Sequence, residues 1–168
     1  MNKKTLAIIL TKLKKFCKRN ISLEQYQTDY EIAADAVWNA YQSGDIEDKI
    51  IADLGCGNGI LGIGALIMGA GKVIFLDVDK ENIGLVKENL EIIEKEFNKK
   101  FDFETLNQDV INFNNRVEVV IQNPPFGVKK EHADRNFIIT AMKNADIIYS
   151  FHKIESKDFI NQLVKDYE

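Results

Sequence analysis

The chain has 168 residues, of which 45% are hydrophobic and 29% charged. That length fits one domain with a sizeable buried core, and the composition is that of a globular chain rather than a disordered or fibrous one. A formal net charge of -4 argues against a partner held by bulk electrostatics alone. The longest apolar stretch, Gly59 to Gly71, is too short and too glycine-rich to span a bilayer.

Leu6, Ile9, Leu10 and Leu13 recur at helical spacing and predict an amphipathic first helix. Lysines precede it, as in a signal peptide. Lys12, Lys14 and Lys15 then stand where a small-residue cleavage site would have to be. Cys17 and Cys56 are the only cysteines. They form no metal-ligand pattern, so no metal site is expected, and nothing requires a disulfide, so a cytoplasmic location is expected. A second helix is predicted from Glu31 to Gln42, with Ile32, Ala33, Ala36, Val37 and Ala40 on one face and Ser43-Gly44 ending it.

Alternation of strands and helices then begins. Lys49 to Asp53 reads as a strand, residues 55–59 as a tight turn, and Leu61 to Met68 as a helix broken by Gly69-Ala70-Gly71. Val73 to Leu76 is the second strand, and Asp79 can cap a helix running to Phe97. Phe101 to Leu106 and Val117 to Ile121 are the third and fourth strands. Asp134 can cap a helix through Lys143, Ile147 to Phe151 is the fifth strand, and Ser156 to Tyr167 a last helix. The expectation is a single α/β domain over residues 1–168, with a mostly parallel sheet and right-handed crossovers.

The first strand runs into Asp53-Leu54-Gly55-Cys56-Gly57-Asn58-Gly59. The glycines at 55 and 57 allow a sharp turn and close approach of a ligand. The Gly-x-Gly-x-Gly spacing differs from the dinucleotide fingerprint, and Asp53 would repel a pyrophosphate. A ligand bearing a sulfonium and an ammonium would be attracted, which favours S-adenosylmethionine. Asp77 ends the second strand and can accept from ribose hydroxyls; Asp79, the competing acid, suits a helix cap better. Asp109 follows the third strand and could accept from an adenine amine with Val110 beside it, or could be a plain loop acid.

Asn123-Pro124-Pro125-Phe126 follows the fourth strand. Two prolines cannot continue a ladder, so the chain leaves the sheet in a stiff turn. The Asn123 side-chain oxygen and the Pro124 carbonyl can accept both protons of an exocyclic amine, which directs its lone pair. Phe126 can stack on the base, and positioning with preorganised dipoles would supply the catalysis. A paired base could not reach such a turn, so the target would be single-stranded or flipped. Basic clusters at Lys3, Lys4, Lys12, Lys14, Lys15, Lys18 and Arg19 and at Lys129, Lys130, His132 and Arg135 are either nucleic-acid contacts or solvated faces.

Taken with Leu23-Glu24-Gln25-Tyr26-x-Thr28, Gly69-Ala70-Gly71, His132-Ala133-Asp134-Arg135 and Tyr149-Ser150-x-His152-Lys153, these residues resemble the methyltransferase-like-five group and its archaeal relatives. Those are class I S-adenosylmethionine-dependent methyltransferases of the N6-adenine type that act on small-subunit ribosomal RNA. The resemblance runs from about Ser22 to Lys153. It implies a three-layer Rossmann-like methyltransferase fold and a cofactor site lined by Gln25, Thr28, Gly55, Asn58, Ile60, Asp77, Asp109 and Val110. It also implies an RNA partner and, as in eukaryotic relatives, a small zinc-binding activator subunit. His152 and Lys153 would end the fifth strand on the ligand side, where RNA contact and a structural role for His152 are both open.

Asn58 stands where relatives often carry Cys or Thr, and Gln27 where Pro is frequent. The family's sheet has two further strands beyond the fifth, so the expectation is a sheet lacking its last two strands, the chain being a fragment, a truncated gene product or a protein whose open edge a partner covers. The alternatives are methylation of DNA adenine or of a glutamine amide, and a non-catalytic cofactor-binding scaffold. Glutamine methylases usually carry Tyr where this chain has Phe126.

Overall fold

The computed structural model describes residues 1–16, 27–125 and 133–166. Gln25, Phe126, Lys129, Lys130, His132, Cys17 and Tyr167 lie outside the described residues. Two helices open the chain. In α1 (Lys3–Leu10), Asn2 caps the start by accepting from Thr5 N at 2.9 Å. Leu6, Ile9 and Leu10 face inward. α2 (Tyr30–Gln42) is capped by Asp29, which accepts from Glu31 N at 2.8 Å. Its buried face is Ala33, Ala34, Val37 and Ala40. Ile32, expected inside, is exposed, because a face through 33, 37 and 40 turns position 32 outward.

The rest alternates: β1 (Ile50–Leu54), α3 (Ile60–Ile67), β2 (Lys72–Asp77), α4 (Lys80–Phe97), β3 (Phe103–Asn107), β4 (Val117–Gln122), α5 (Ala133–Asn144), β5 (Ala145–Ser150) and α6 (Lys157–Lys165). Single 3-10 turns at Val110–Asn112 and Ile154–Ser156 were not anticipated. β3 starts two residues later than the alternation predicts and β5 two residues earlier. The second shift has a local cause. Asn144 donates to Phe113 O at 3.2 Å and to Thr140 O at 2.9 Å, ending α5 so abruptly that the strand follows with no loop. Asp134 lies inside the first turn of α5 rather than ahead of it as its cap.

The described strands form one sheet in the order β3-β2-β1-β4-β5, and every pairing is parallel. α1 to α4 cover one face, over Ile51, Phe75, Val119 and Ile121. α5 covers the other, over Ala52, Leu54, Ile74, Leu76 and Val120. This is the three-layer Rossmann-like methyltransferase arrangement, in which burial on both faces makes the strands nearly all apolar. α3 lies so close to β2 that a Cβ at Gly62 would sit 2.4 Å from the Phe75 ring. Strand order reverses between β1 and β4, and crevices at such switch points, outside the carboxyl ends, are where open α/β sheets take ligands. Leu54 and Gln122 are register partners there, so the glycine loop and the Asn-Pro-Pro turn leave the sheet side by side.

Candidate active site

Beyond β1 the chain turns through Gly55 (φ 70) and Gly57 (φ 55), left-handed conformations that disfavour a side chain. The loop closes on itself. Gly55 N and Cys56 N donate to Leu76 O at 2.8 and 2.9 Å, and Gly59 N donates to Cys56 O at 2.8 Å. Gly57 N donates to the Asp77 carboxylate at 2.9 Å. In a phosphate loop such N–H groups face the anion; here all four are bonded within the protein. The loop is therefore unsuited to a phosphate, as the acid ahead of it suggests.

Two carboxylates lie under this loop. Asp53 is 1% exposed and accepts from Gly62 N at 2.9 Å. Burial pushes its carboxyl up to about 7; the Gly62 N–H opposes this, and the Asp77 charge adds to it. Asp77 is raised by burial, against the pull of Asp79 N–H, Gly57 N–H and the Asn82 side chain. A cation above the loop would relieve both, since an opposite charge favours ionised carboxyl groups. Asp79 is the α4 cap, accepting from Glu81 N at 2.9 Å. The Cys56 thiol is buried and its pKa raised by that burial, so it is not an activated nucleophile.

Asn123 leaves β4 next to this loop. Its Nδ2 donates to Thr28 Oγ1 at 2.9 Å. Its Oδ1 is buried and has no hydrogen-bond partner among the described residues. A buried acceptor without a donor costs about 1–3 kcal/mol, and among the described residues this atom and Gln122 Oε1 both lack one. Pro124 is buried and Pro125 partly so.

A cleft of about 280 Å³, including its open mouth, is lined by Thr28, Asp53, Gly55, Gly57, Asn58, Ile60 and Asn123 of the expected residues. Asp77 stands one bond behind it, through Gly57. Asp109 and Val110 do not line it. Asp109 is exposed and accepts from Ile111 N at 3.1 Å, while Val110 is buried beneath. Pro124, Pro125, His152 and Lys153 also stand outside the lining.

Phe16, Gln27, Cys56 and Leu61 line the cleft without having been singled out. Phe16 follows α1 with no periodicity to mark it, yet a Cβ at Gly57 would lie 3.0 Å from its ring. It is held there by Asn89, fully buried in α4, which accepts from Lys14 N at 2.7 Å and donates to Asn58 O at 2.9 Å. A buried Asn in an amphipathic helix was the available signal. Asn58 donates to Lys14 O at 3.2 Å, so its side chain braces the N-terminal segment. Three lysines of the N-terminal basic cluster are paired: Lys3 with Asp35, Lys12 with Glu96, and Lys14 with Glu88. These three lysines belong to a solvated face rather than an open cationic patch.

On the other side of the turn, Gln122 Nε2 donates to Ser150 Oγ at 2.9 Å. Ser150 Oγ lies 2.6 Å from His152 Nε2, and His152 Nδ1 faces Asp134 Oδ2 at 3.6 Å. Lys153 is exposed. No helix among the described residues is long and apolar enough to cross a membrane.

Comparison with known proteins agrees with this geometry. Residues 30–146 match the family model "Methyltransferase small domain". The Methanocaldococcus jannaschii protein MJ0284, of uncharacterised function, is 39% identical over 99% of this chain and 78% of its own length. The Danio rerio rRNA N(6)-adenosine-methyltransferase METTL5 is 32% identical over 100% of this chain and 82% of its own. The crystal structure of PH1948 from Pyrococcus horikoshii superimposes with a TM-score of 0.89 at 45% identity, covering 98% of this chain and 81% of that one. The match over residues 30–146 and a relative 32% identical along the whole chain show the family: the chain belongs to the small-domain family of class I S-adenosylmethionine-dependent methyltransferases.

Proposed function

We propose that the chain methylates N6 of an adenosine in RNA, with small-subunit ribosomal RNA as the natural target. The observation that carries this reading is the buried, unpartnered Asn123 Oδ1 beside the glycine loop. An exocyclic amine is the donor that would satisfy it. Relatives named as rRNA N6-adenosine methyltransferases in Danio rerio, Drosophila melanogaster and Caenorhabditis elegans support the choice of acceptor.

The buried acids and the closed glycine loop suit the cationic cofactor. S-adenosylmethionine, when bound, supplies a sulfonium methyl that passes to the amine lone pair as the carbon–sulfur electrons return to sulfur and one amine proton goes to water. Asp53 answers its positive charge. Asp77 keeps lone pairs for the ribose hydroxyls beyond those bonded to Gly57 and Asp79. Gln25, Thr28, Gly55, Gly57, Asn58 and Ile60 complete the cofactor wall, while Asp109 and Val110 stand outside the described cleft. Asn123 Oδ1 and the Pro124 carbonyl accept the amine protons, Pro125 stiffens the turn, and Phe126 stacks on the target base. No side chain needs to act as a strong base, because the proton leaves after nitrogen has become cationic.

Lys129, Lys130 and Lys153 lie by this reading along the RNA path, with His152 beside them bonded between Ser150 and Asp134, in a cytoplasmic enzyme that a small zinc-binding subunit can accompany. Neutralising Lys129 and Lys130 together should lower RNA affinity and flatten its salt dependence.

The test is transfer of label from S-adenosylmethionine to RNA, DNA and protein offered separately, followed by digestion to nucleosides. N6-methyladenosine in the RNA digest is the expected product. Label in protein, label on another base atom, or cofactor binding without transfer to any RNA would overturn the proposal.

A further inference from the structure

Along the chain, residues 123–133 join Gln122, the last residue of β4, to Asp134 in the first turn of α5. Both of those end residues are buried and polar: Gln122 is 0% exposed and Asp134 8%. Both reach the exit of β5, Gln122 at Ser150 and Phe151 and Asp134 at His152. Gln122 is tied there twice, through its backbone oxygen, which accepts from Phe151 N at 3.1 Å, and through Nε2, which donates to Ser150 Oγ at 2.9 Å. Ser150 and His152 are 2.6 Å apart. His152 Nδ1 faces Asp134 Oδ2 at 3.6 Å, closing the path from one end of the segment to the other.

Core packing does not require this polarity. One step back along the same face, the register partners are the apolar pair Val120 and Ile148, and a like pair at Gln122 and Ser150 would avoid desolvating two polar side chains. What the polar path adds is direction. Ser150 has one proton. With Gln122 Nε2 donating to its oxygen, that proton is free for His152 Nε2. His152 must then carry its own proton on Nδ1, toward Asp134. Burial holds the imidazole below its ordinary value, with Asp134 opposing, so the neutral ring is the resting form. Each donor fixes the next, and the Gln122 amide cannot turn over without reversing the path.

We infer that Ser150, His152 and Asp134 are positioning residues that tie the end of β4, through Gln122, to the first turn of α5 and thereby aim Asn123 Oδ1 at the target amine. The inference rests on the methyl-transfer reading above. It assigns His152 to holding the turn rather than to touching RNA. A misplacement of about 1 Å in a positioned group can cost on the order of a hundredfold in rate, so a partial loosening should be visible in turnover.

The experiment compares Ser150→Ala, His152→Leu, their double variant and His152→Gln, all checked for folding by thermal melting. Asp134→Asn serves where His152→Leu melts too low. Each single break should lower kcat about tenfold. KM for RNA and affinity for S-adenosylmethionine should stay within about twofold. The double variant should be no worse than the poorer single, because the two residues act along one path. His152→Gln, which can accept from Ser150 and donate toward Asp134, should recover most of the rate. A rise in KM for RNA with kcat intact, or losses that multiply in the double variant, would overturn the clamp.

A second readout does not depend on turnover. Side-chain amide NMR should show sharp Gln122 and Asn123 signals that broaden in Ser150→Ala; unchanged Asn123 signals would overturn the inference. Absence of RNA methylation by the unaltered protein would instead strike the functional reading, and the NMR result would still decide the clamp.

Discussion

At the carboxyl ends of β1 and β2 the buried polar groups are acids, Asp53 and Asp77, held by backbone N–H donors. At the ends of β4 and β5, a few ångströms across the same crevice, they are two amides, a hydroxyl and a half-buried imidazole. One side is charged and built to meet a cation. The other is neutral where it faces the cleft and built to aim an acceptor. Charge beside the target amine would hold its protons by brute attraction. A fixed dipole instead sets its direction, which is how preorganised groups lower a barrier without reorganising. The two sides should therefore fail differently when altered.

The sharpest break is Asn123→Ala. It removes only the neutral side's acceptor, and methyl transfer should fall about 10²–10³-fold. Titration calorimetry with S-adenosylmethionine should show affinity within about twofold of the unaltered protein. A large loss of cofactor binding would mean the two sides are not separate.

Asp53→Asn probes the charged side. The unfolded carboxyl titrates near 3.8 and the folded one near 7, so the fold binds the extra proton between those values. Its contribution to stability therefore falls as pH rises from about 4 to 7, and the penalty is full above 7. The variant should melt higher at pH 8, by up to about 4 kcal/mol of stability, and little differently at pH 4. It should also bind the cofactor more weakly. In the unaltered protein, a cation holding Asp53 ionised makes binding release protons, so affinity should drop by up to about tenfold per unit below pH 7. Calorimetry in buffers of different ionisation enthalpy reads that release directly. A proton count of zero at pH 6.5 would remove Asp53 from the cation's neighbourhood.

Gly62→Ala strains the charged side mechanically. Its Cβ would meet the Phe75 ring at 2.4 Å and Val73 at 2.9 Å, and overpacking of this kind costs about 1–3 kcal/mol. Melting should fall and cofactor affinity with it, since Gly62 N also holds Asp53. Turnover at saturating cofactor should hold. Normal cofactor affinity in a folded, destabilised variant would show that the Asp53 bond is dispensable.

The smallest effect is expected far from the crevice, at the opposite ends of β4 and β5. Arg116 pairs with Asp146 there, both 62% exposed. Arg116→Ala should change stability by less than about 1 kcal/mol and leave transfer untouched. A change in kcat would mean that β4 transmits strain along its length to Gln122.

How much of this was legible beforehand follows from the range of each interaction. Asp79 capping α4, the left-handed turn at Gly57 and the exit of the chain at Pro124 are decided within a few residues, and the pattern of residue types shows them. The order of acids and glycines after successive strands located the switch-point crevice because a parallel sheet places every strand's carboxyl end on one side. The burial of Asp53 could not be read, since an acid before a glycine loop looks the same whether wet or dry. Nor could Asp134, whose spacing ahead of an apolar run suggested a cap; in the fold it lies in the first turn and faces His152.

By itself, then, the sequence determined the succession of elements, the tight glycine turn after β1 and the amide-proline turn, because each rests on backbone conformations that neighbouring residues dictate. Tertiary structure alone decided what the side chains face. Thr28 meets Asn123 across 95 positions of chain, and Lys14 meets Asn89 across 75. Such pairings depend on how layers stack and strands register. Only there does it become visible that Asn123 Oδ1 is buried without a donor among the described residues, and that the end of its strand is tied to Ser150.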